Sequence, residues 1–332
     1  MEKKISLEIS KWKYAKDWVY SITYDEALSE LERFVIPVHE ELGIPGHLEV
    51  VAGHIGRIRD LGQSSFNGLR HMDARELRRM KDMGWGIGNH SYSHERVMDD
   101  PDRELRLAKQ IIEDAVGSPV TVYTSPGNND NLTPEVVEAL KQYGYLAGMS
   151  ITDDINLYDP DDLLWINRVP LHEKYWGVFD GAYDAYKRIH QAKENNGWIV
   201  DYCHCPLEEA IHPYKDCTAA HHRKRLEIVI KEGGNGCWYA DPDEVVDYRY
   251  MRKYTSIKQV DNEPWRFVID ADDSAKNIQR KELTYILSGP FTCDVIDAFA
   301  NGHKLSIMPA KAGQIIFTAK MLDGMEIVIK RK

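Results

Sequence analysis

Residues 84–94 read Gly84-Trp85-Gly86-Ile87-Gly88-Asn89-His90-Ser91-Tyr92-Ser93-His94. The first five alternate glycine with bulky apolar side chains, as a tightly packed buried strand does. Just past its end stand two histidines four residues apart. On a helix they would share one face, and their imidazoles could converge on one metal ion. Upstream, Asp73 caps a helix that runs to Met83, and Gly84 closes it.

The same alternation extends in both directions. Residues 18–23 read as a strand ending in the acidic pair Asp25-Glu26, and residues 27–42 carry apolar side chains at helical spacing. Gly43-Ile44-Pro45-Gly46 stops that helix ahead of a strand at 48–52. Residues 103–116 form another helix and residues 120–123 another strand. Pro134 then opens a helix at its first position, and residues 198–202 are a later strand. Repeated βα units imply a parallel sheet or barrel with helices outside and chemistry at the C-terminal strand ends.

Beyond Thr255 the texture changes. Residues 265–269, 283–287, 305–308, 314–318 and 325–329 read as strands, with Asn301-Gly302 and Asp323-Gly324 as hairpin turns. The expected division is an α/β domain over residues 1–254 and a small β-sandwich-like module over 255–332.

Lys and Arg number 42 against 53 Asp and Glu, a formal charge of −11. That balance argues against broad binding to nucleic acid or anionic lipid, which needs a cationic field. No stretch approaches the roughly 20 apolar residues of a membrane span. The basic start has no apolar segment behind it, so a cytoplasmic location is expected, or a secreted one if a signal was removed. Five cysteines do not make a disulfide framework. Cys203 and Cys205 flank His204 as a thiolate pair would, but read better as structural thiols. The basic run at 221–225 reads as a solvated helix start.

Four polar clusters follow strands: residues 23–27, 88–94, 123–130 and 200–206. Adjacent carboxylates at a strand end, as in the first, repel unless a cation or a shared proton relieves them. Together the clusters resemble the polysaccharide deacetylase family, carbohydrate esterase family four. Thr23-Tyr24-Asp25-Glu26-Ala27 is similar to its T-F-D-D-G motif, and Gly88 to His94 is similar to its G-N-H-[ST]-x-x-H motif. Thr124-Ser125-Pro126-Gly127-Asn128 is similar to R-x-P-[FY]-G without the arginine, and Tyr202-Cys203-His204 to the late L-x-H strand end. The resemblance spans residues 18–250.

It implies a distorted (β/α) barrel that hydrolyses an N-acetyl or O-acetyl group on a carbohydrate, N-acetyl first. It also assigns roles. Glu26, His90 and His94 would hold one divalent ion, zinc first, with cobalt, nickel, manganese or iron able to use the same ligands. Asp25 would be the general base and His204 the acid, with Asp153 or Asp154 beside His204. Pro126 and the Gly127 N–H would border the oxyanion; apart from the resemblance, Trp176 belongs to an aromatic-rich stretch, residues 165–186, expected to stack on the sugar. Arg168 would replace the missing motif arginine beside Asp25. Glu26, Ala27 and Thr124 depart from the family pattern. They keep two other functions open: hydrolysis of a small amide or cyclic imide, and glycan binding without turnover.

Overall fold

The structure, a computed structural model, describes residues 5–158, 163–174, 183–262 and 264–332. It divides into two units, Trp18–Asp243 and a second made of Met1–Asp17 with Glu244–Lys332.

In chain order β1 (Ser6–Ile9) belongs to the second unit, and the barrel opens with β2 (Trp18–Asp25). Then come β3 (His47–Val50), β4 (Gly86–Asn89), β5 (Val122–Thr124), β6 (Ala147–Met149), β7 (Val169–Pro170), β8 (Trp198–Cys203) and β9 (Cys237–Tyr239). They form one parallel sheet in the order β6-β5-β4-β3-β2-β8-β7, with β9 added on β2. Every residue of β2 is buried, which suits a strand covered on both faces. One edge of β2 is shared: Trp18 to Tyr20 pair with β9 and Thr23 to Asp25 with β3. A strand with two partners on one edge curls the sheet, and the unit is a distorted (β/α) barrel.

The glycines of β4 have a steric cause. A Cβ at Gly86 would lie 2.0 Å from His47 Cδ2, and one at Gly88 would lie 2.4 Å from Glu49 Oε2. His47 and Glu49 on β3 are buried and joined at 2.6 Å, with His47 Nε2 3.3 Å from Asp243. The two carboxylates outweigh the burial that would otherwise neutralise the imidazole, and they hold His47 protonated. Only glycine leaves room for this pair.

Several local expectations change. Residues 27–42 are not one helix but two short ones, Leu31–Phe34 and Ile36–Leu42. Glu26 and Ala27 have φ of 71° and 49°, so the chain turns left-handed before any helix begins. The run at 221–225 is not solvated throughout. His222 and Arg225 are buried in the helix Ala219–Gly233, His222 bonded to Tyr24 Oη and Arg225 to Asp201. No described helix is long and apolar enough to cross a membrane.

The second unit holds β10 (Thr255–Asn262), β11 (Trp265–Ala271), β12 (Glu282–Ser288), β13 (Ile296–Ala300), β14 (His303–Lys304), β15 (Met308–Pro309), β16 (Ile315–Lys320) and β17 (Met325–Arg331). One antiparallel sheet runs β1-β12-β16-β15 and the other β10-β11-β17-β13-β14. β1 pairs with β12, so this unit takes in the N-terminal strand, which the expected division at residue 254 assigned to the barrel. The strand expected at 305–308 does not form: residues 305–307 lie between two short strands, His303–Lys304 and Met308–Pro309. Asn301-Gly302 does close a hairpin between β13 and β14. Asp323-Gly324 instead carries the chain from β16 in one sheet to β17 in the other.

Candidate active site

The candidate side chains gather where the parallel strands end. Asp25 closes β2, His90 follows β4, Thr124 closes β5 and His204 follows β8. A cavity of about 340 Å³ opens there, bordered by Asp25, Glu26, Arg59, His90, His94 and His204 among others.

Asp25 is buried and paired with Arg168, which is wholly buried beside β7. Arg168 donates from Nη1 to Oδ1 at 2.6 Å and from Nη2 to Oδ2 at 3.3 Å. Nε is anchored on the Ser150 carbonyl at 2.9 Å, Nη1 also reaches Thr23 Oγ1 at 3.2 Å, and the guanidinium lies 4.4 Å over the Tyr202 ring. Burial alone would raise the carboxyl of Asp25. The charge of Arg168, helped by His90 and His204, overcomes it and holds the group at about 2. Thr124, at the place of the motif arginine, instead donates to Glu49 Oε2 at 2.7 Å.

The segment after β4 is not a helix. Ser91 and His94 have φ of 67° and 63°, left-handed values that a turn imposes. Glu104 holds that turn, accepting the N–H groups of Tyr92 and Ser93 at 3.0 and 2.9 Å and the Ser93 hydroxyl at 2.8 Å. The two imidazoles still meet, edge to face with centroids 5.0 Å apart. His90 Nδ1 donates to the Thr124 carbonyl at 3.1 Å, which leaves Nε2 with the lone pair. Burial pushes His90 down to about 3 and also lowers His94.

Glu26 is already engaged. Arg59 donates to both its oxygens, from Nη2 to Oε1 at 2.8 Å and from Nε to Oε2. Burial would raise the Glu26 carboxyl, but the bond to Arg59 outweighs it and holds the group at about 2. The expected ion ligands Glu26, His90 and His94 therefore do not fit a divalent ion as they stand, because Arg59 engages both oxygens of the one carboxylate among them. Arg59 lies in the segment between β3 and the helix Ala74–Asp82, residues 51–73, which also delivers Phe66 and His71. The signal for it was length: a βα connection this long is uncommon and usually functional.

His204 lies 4.9 Å from Phe66 in a stacked contact, and its Nδ1 donates to the Lys215 carbonyl at 2.9 Å. Asp153 does not serve it. Asp153 and Asp154 are bonded to Arg188, at 3.0 and 2.7 Å, outside the cavity. His204 acts electrostatically on Asp25, Glu26 and Asp216, and burial pushes Asp216 up to about 6. Sulfur and oxygen atoms of Cys203, Asp216 and Cys217 lie within 4.8 Å of one another. Asp216 accepts the N–H groups of Cys205 and Cys217, and burial pushes the Cys203 and Cys217 thiols up. Gly127 borders the cavity in a left-handed conformation, whereas Pro126 faces an adjoining groove. Trp176 lies outside the described residues.

Residues 13–148 match the family model described as polysaccharide deacetylase. This part of the chain is similar to the polysaccharide deacetylase family. The family generally works with a bound metal ion, which makes the state of Glu26 a departure. Among solved structures, the chain is similar to a polysaccharide deacetylase from Bacillus cereus, at 19% identity and TM-score 0.37, covering 45% of this chain and 46% of that one. It thus spans less than half the length of that structure. A putative polysaccharide deacetylase from Mycobacterium smegmatis is 15% identical at TM-score 0.47, covering 72% and 92%. A family 4 carbohydrate esterase from Streptomyces lividans, in complex with acetate, is 15% identical at TM-score 0.41, covering 67% and 92%. No curated protein matches the chain.

Proposed function

We propose that the barrel removes an acetyl group from a carbohydrate, N-acetyl before O-acetyl, in the cavity at the strand ends. The observation that carries this reading is the 2.6 Å ion pair of Asp25 with buried Arg168, with Asp25 in the same cavity as His204. Asp25 accepts a proton from water as the water oxygen attacks the acetyl carbonyl. The pairing that keeps Asp25 ionised makes it a weak base, so orientation of the water matters more than basicity. The Gly127 N–H is assigned to the oxyanion of the tetrahedral intermediate. That intermediate collapses with cleavage of the C–N bond, acetate leaves, and His204 gives its Nε2 proton to the departing nitrogen. The Nδ1 bond to Lys215 fixes the ring for that transfer.

The test is acetate release from a panel of N-acetylated and O-acetylated sugars by wild type, Asp25→Asn and His204→Ala. Release by wild type that falls about 10²-fold or more in both variants supports the reading. No release from any sugar, or variants as active as wild type, refutes it.

A further inference from the structure

The structure assigns the cation position beside Glu26 to Arg59: we propose that this guanidinium stands where the family's metal ion would be held and keeps divalent ions out of the site. The inference deepens the deacetylase reading, because it concerns the same cavity.

The first support is geometric. Glu26 offers two oxygens, and Arg59 takes both in a side-on, two-point contact. A metal ion bound to either oxygen must break that contact and leave a guanidinium that is only 5% exposed without its counter-charge. Arg59 is also anchored from behind. Its Nη1 donates to Asn67 Oδ1 at 2.7 Å, and the same oxygen accepts the Leu61 N–H at 3.0 Å. Asn67 Nδ2 in turn donates to the Gly62 carbonyl at 2.9 Å. The Arg59 backbone is held too, its N–H on the Leu69 carbonyl at 2.7 Å and its carbonyl on the Gly68 N–H at 2.9 Å. Swinging Arg59 aside would dismantle this loop.

The second support is charge balance. Two carboxylates, Asp25 and Glu26, stand at the end of β2, and each is met by one buried guanidinium, Arg168 and Arg59. A divalent ion would add two positive charges to a pair of ion pairs that already cancel. The glutamate itself fits the arrangement, because its longer side chain lets the carboxylate meet the fork of an arginine squarely. His90 and His94 remain beside the pair as hydrogen-bonding walls of the cavity.

The test uses Co²⁺, whose visible absorption reports tetrahedral ligation, on full-length protein stripped with chelator. Metal stoichiometry after gel filtration is measured alongside. Wild type is expected to take up no Co²⁺ that His94→Ala abolishes, and chelator is expected to leave its acetate release unchanged. Arg59→Gln frees Glu26 and is expected to bind about one Co²⁺ per chain, with the absorption lost again in Arg59→Gln/His94→Ala. About one Co²⁺ in wild type, lost in His94→Ala, overturns the proposal, and this arm needs no Arg59 variant to fold. A folded Arg59→Gln protein that binds no Co²⁺ overturns it as well. Metal uptake and acetate release are separate readouts, so the failure of one reading does not hide the failure of the other.

Discussion

Replacing Arg168 with methionine keeps most of the buried volume and removes the charge that offsets the burial of Asp25. In wild type the Asp25 carboxyl sits at about 2 against an ordinary 3.8. That difference corresponds to about 2 kcal/mol. A depressed value contributes stability above the unfolded-state pKa, and the contribution is lost as pH falls through the folded-state value. In wild type this loss occurs below pH 3.8 and is complete only below about pH 2. In Arg168→Met burial prevails over the remaining His90 and His204 contributions, so the carboxyl rises above 3.8 and the sign reverses. Stability from this group is then present in acid and lost as pH rises. The deficit of the variant should grow between about pH 4 and 7, reaching about 3–5 kcal/mol, the cost of leaving one member of a buried ion pair alone. Urea unfolding at several pH values measures it. Arg168 is a positioning residue, so a second readout is the pH profile of kcat/KM for acetate release. Its acid limb should move up into the accessible range in the variant. A deficit that is flat with pH, together with an unmoved acid limb, would refute the reasoning.

Two further perturbations follow. His204→Ala should lower turnover of an N-acetyl sugar by about 10²-fold or more, yet lower that of an acetyl ester with a good phenolic leaving group far less; equal losses on both would remove His204 from the acid role. Gly88→Ala places a Cβ 2.4 Å from Glu49 Oε2 and should cost about 1–3 kcal/mol, whereas Gly43→Ala, with open space but φ of 67°, should cost only about 1 kcal/mol. Urea midpoints compare the two, and a Gly88 variant as stable as the Gly43 variant would mean that the His47–Glu49 pair moves aside freely.

The barrel was legible because each of its signals is local. The apolar run of β2, the capped helix Ala74–Asp82 and the glycine-bracketed β4 can each be read from a few neighbouring residues. The cluster of Asp25, His90 and His204 was legible for the same reason, since each side chain stands at or just past a strand end. Where the local signal was ambiguous, the reading failed. Apolar spacing over residues 27–42 promised a helix, but the left-handed turn at Glu26 and Ala27 took its first turn away. The charged run at 221–225 looked solvated, because nothing nearby in sequence shows that Asp201 and Tyr24 wait to receive it.

By itself the sequence determined the order of βα units, the strand ends that carry the candidate side chains and a β-rich tail, because periodicity and turn residues act over a few positions. Tertiary structure decided the partners of the charges. Arg168 meets Asp25 from 143 residues away and Arg59 meets Glu26 from 33 away, while Asp153 turns to Arg188. A buried charge takes whichever counter-charge the fold brings within hydrogen-bond reach, and separation along the chain carries no record of that distance. The pairing of β1 with β12 was hidden in the same way, since an isolated strand shows its pattern but not the edge it will join.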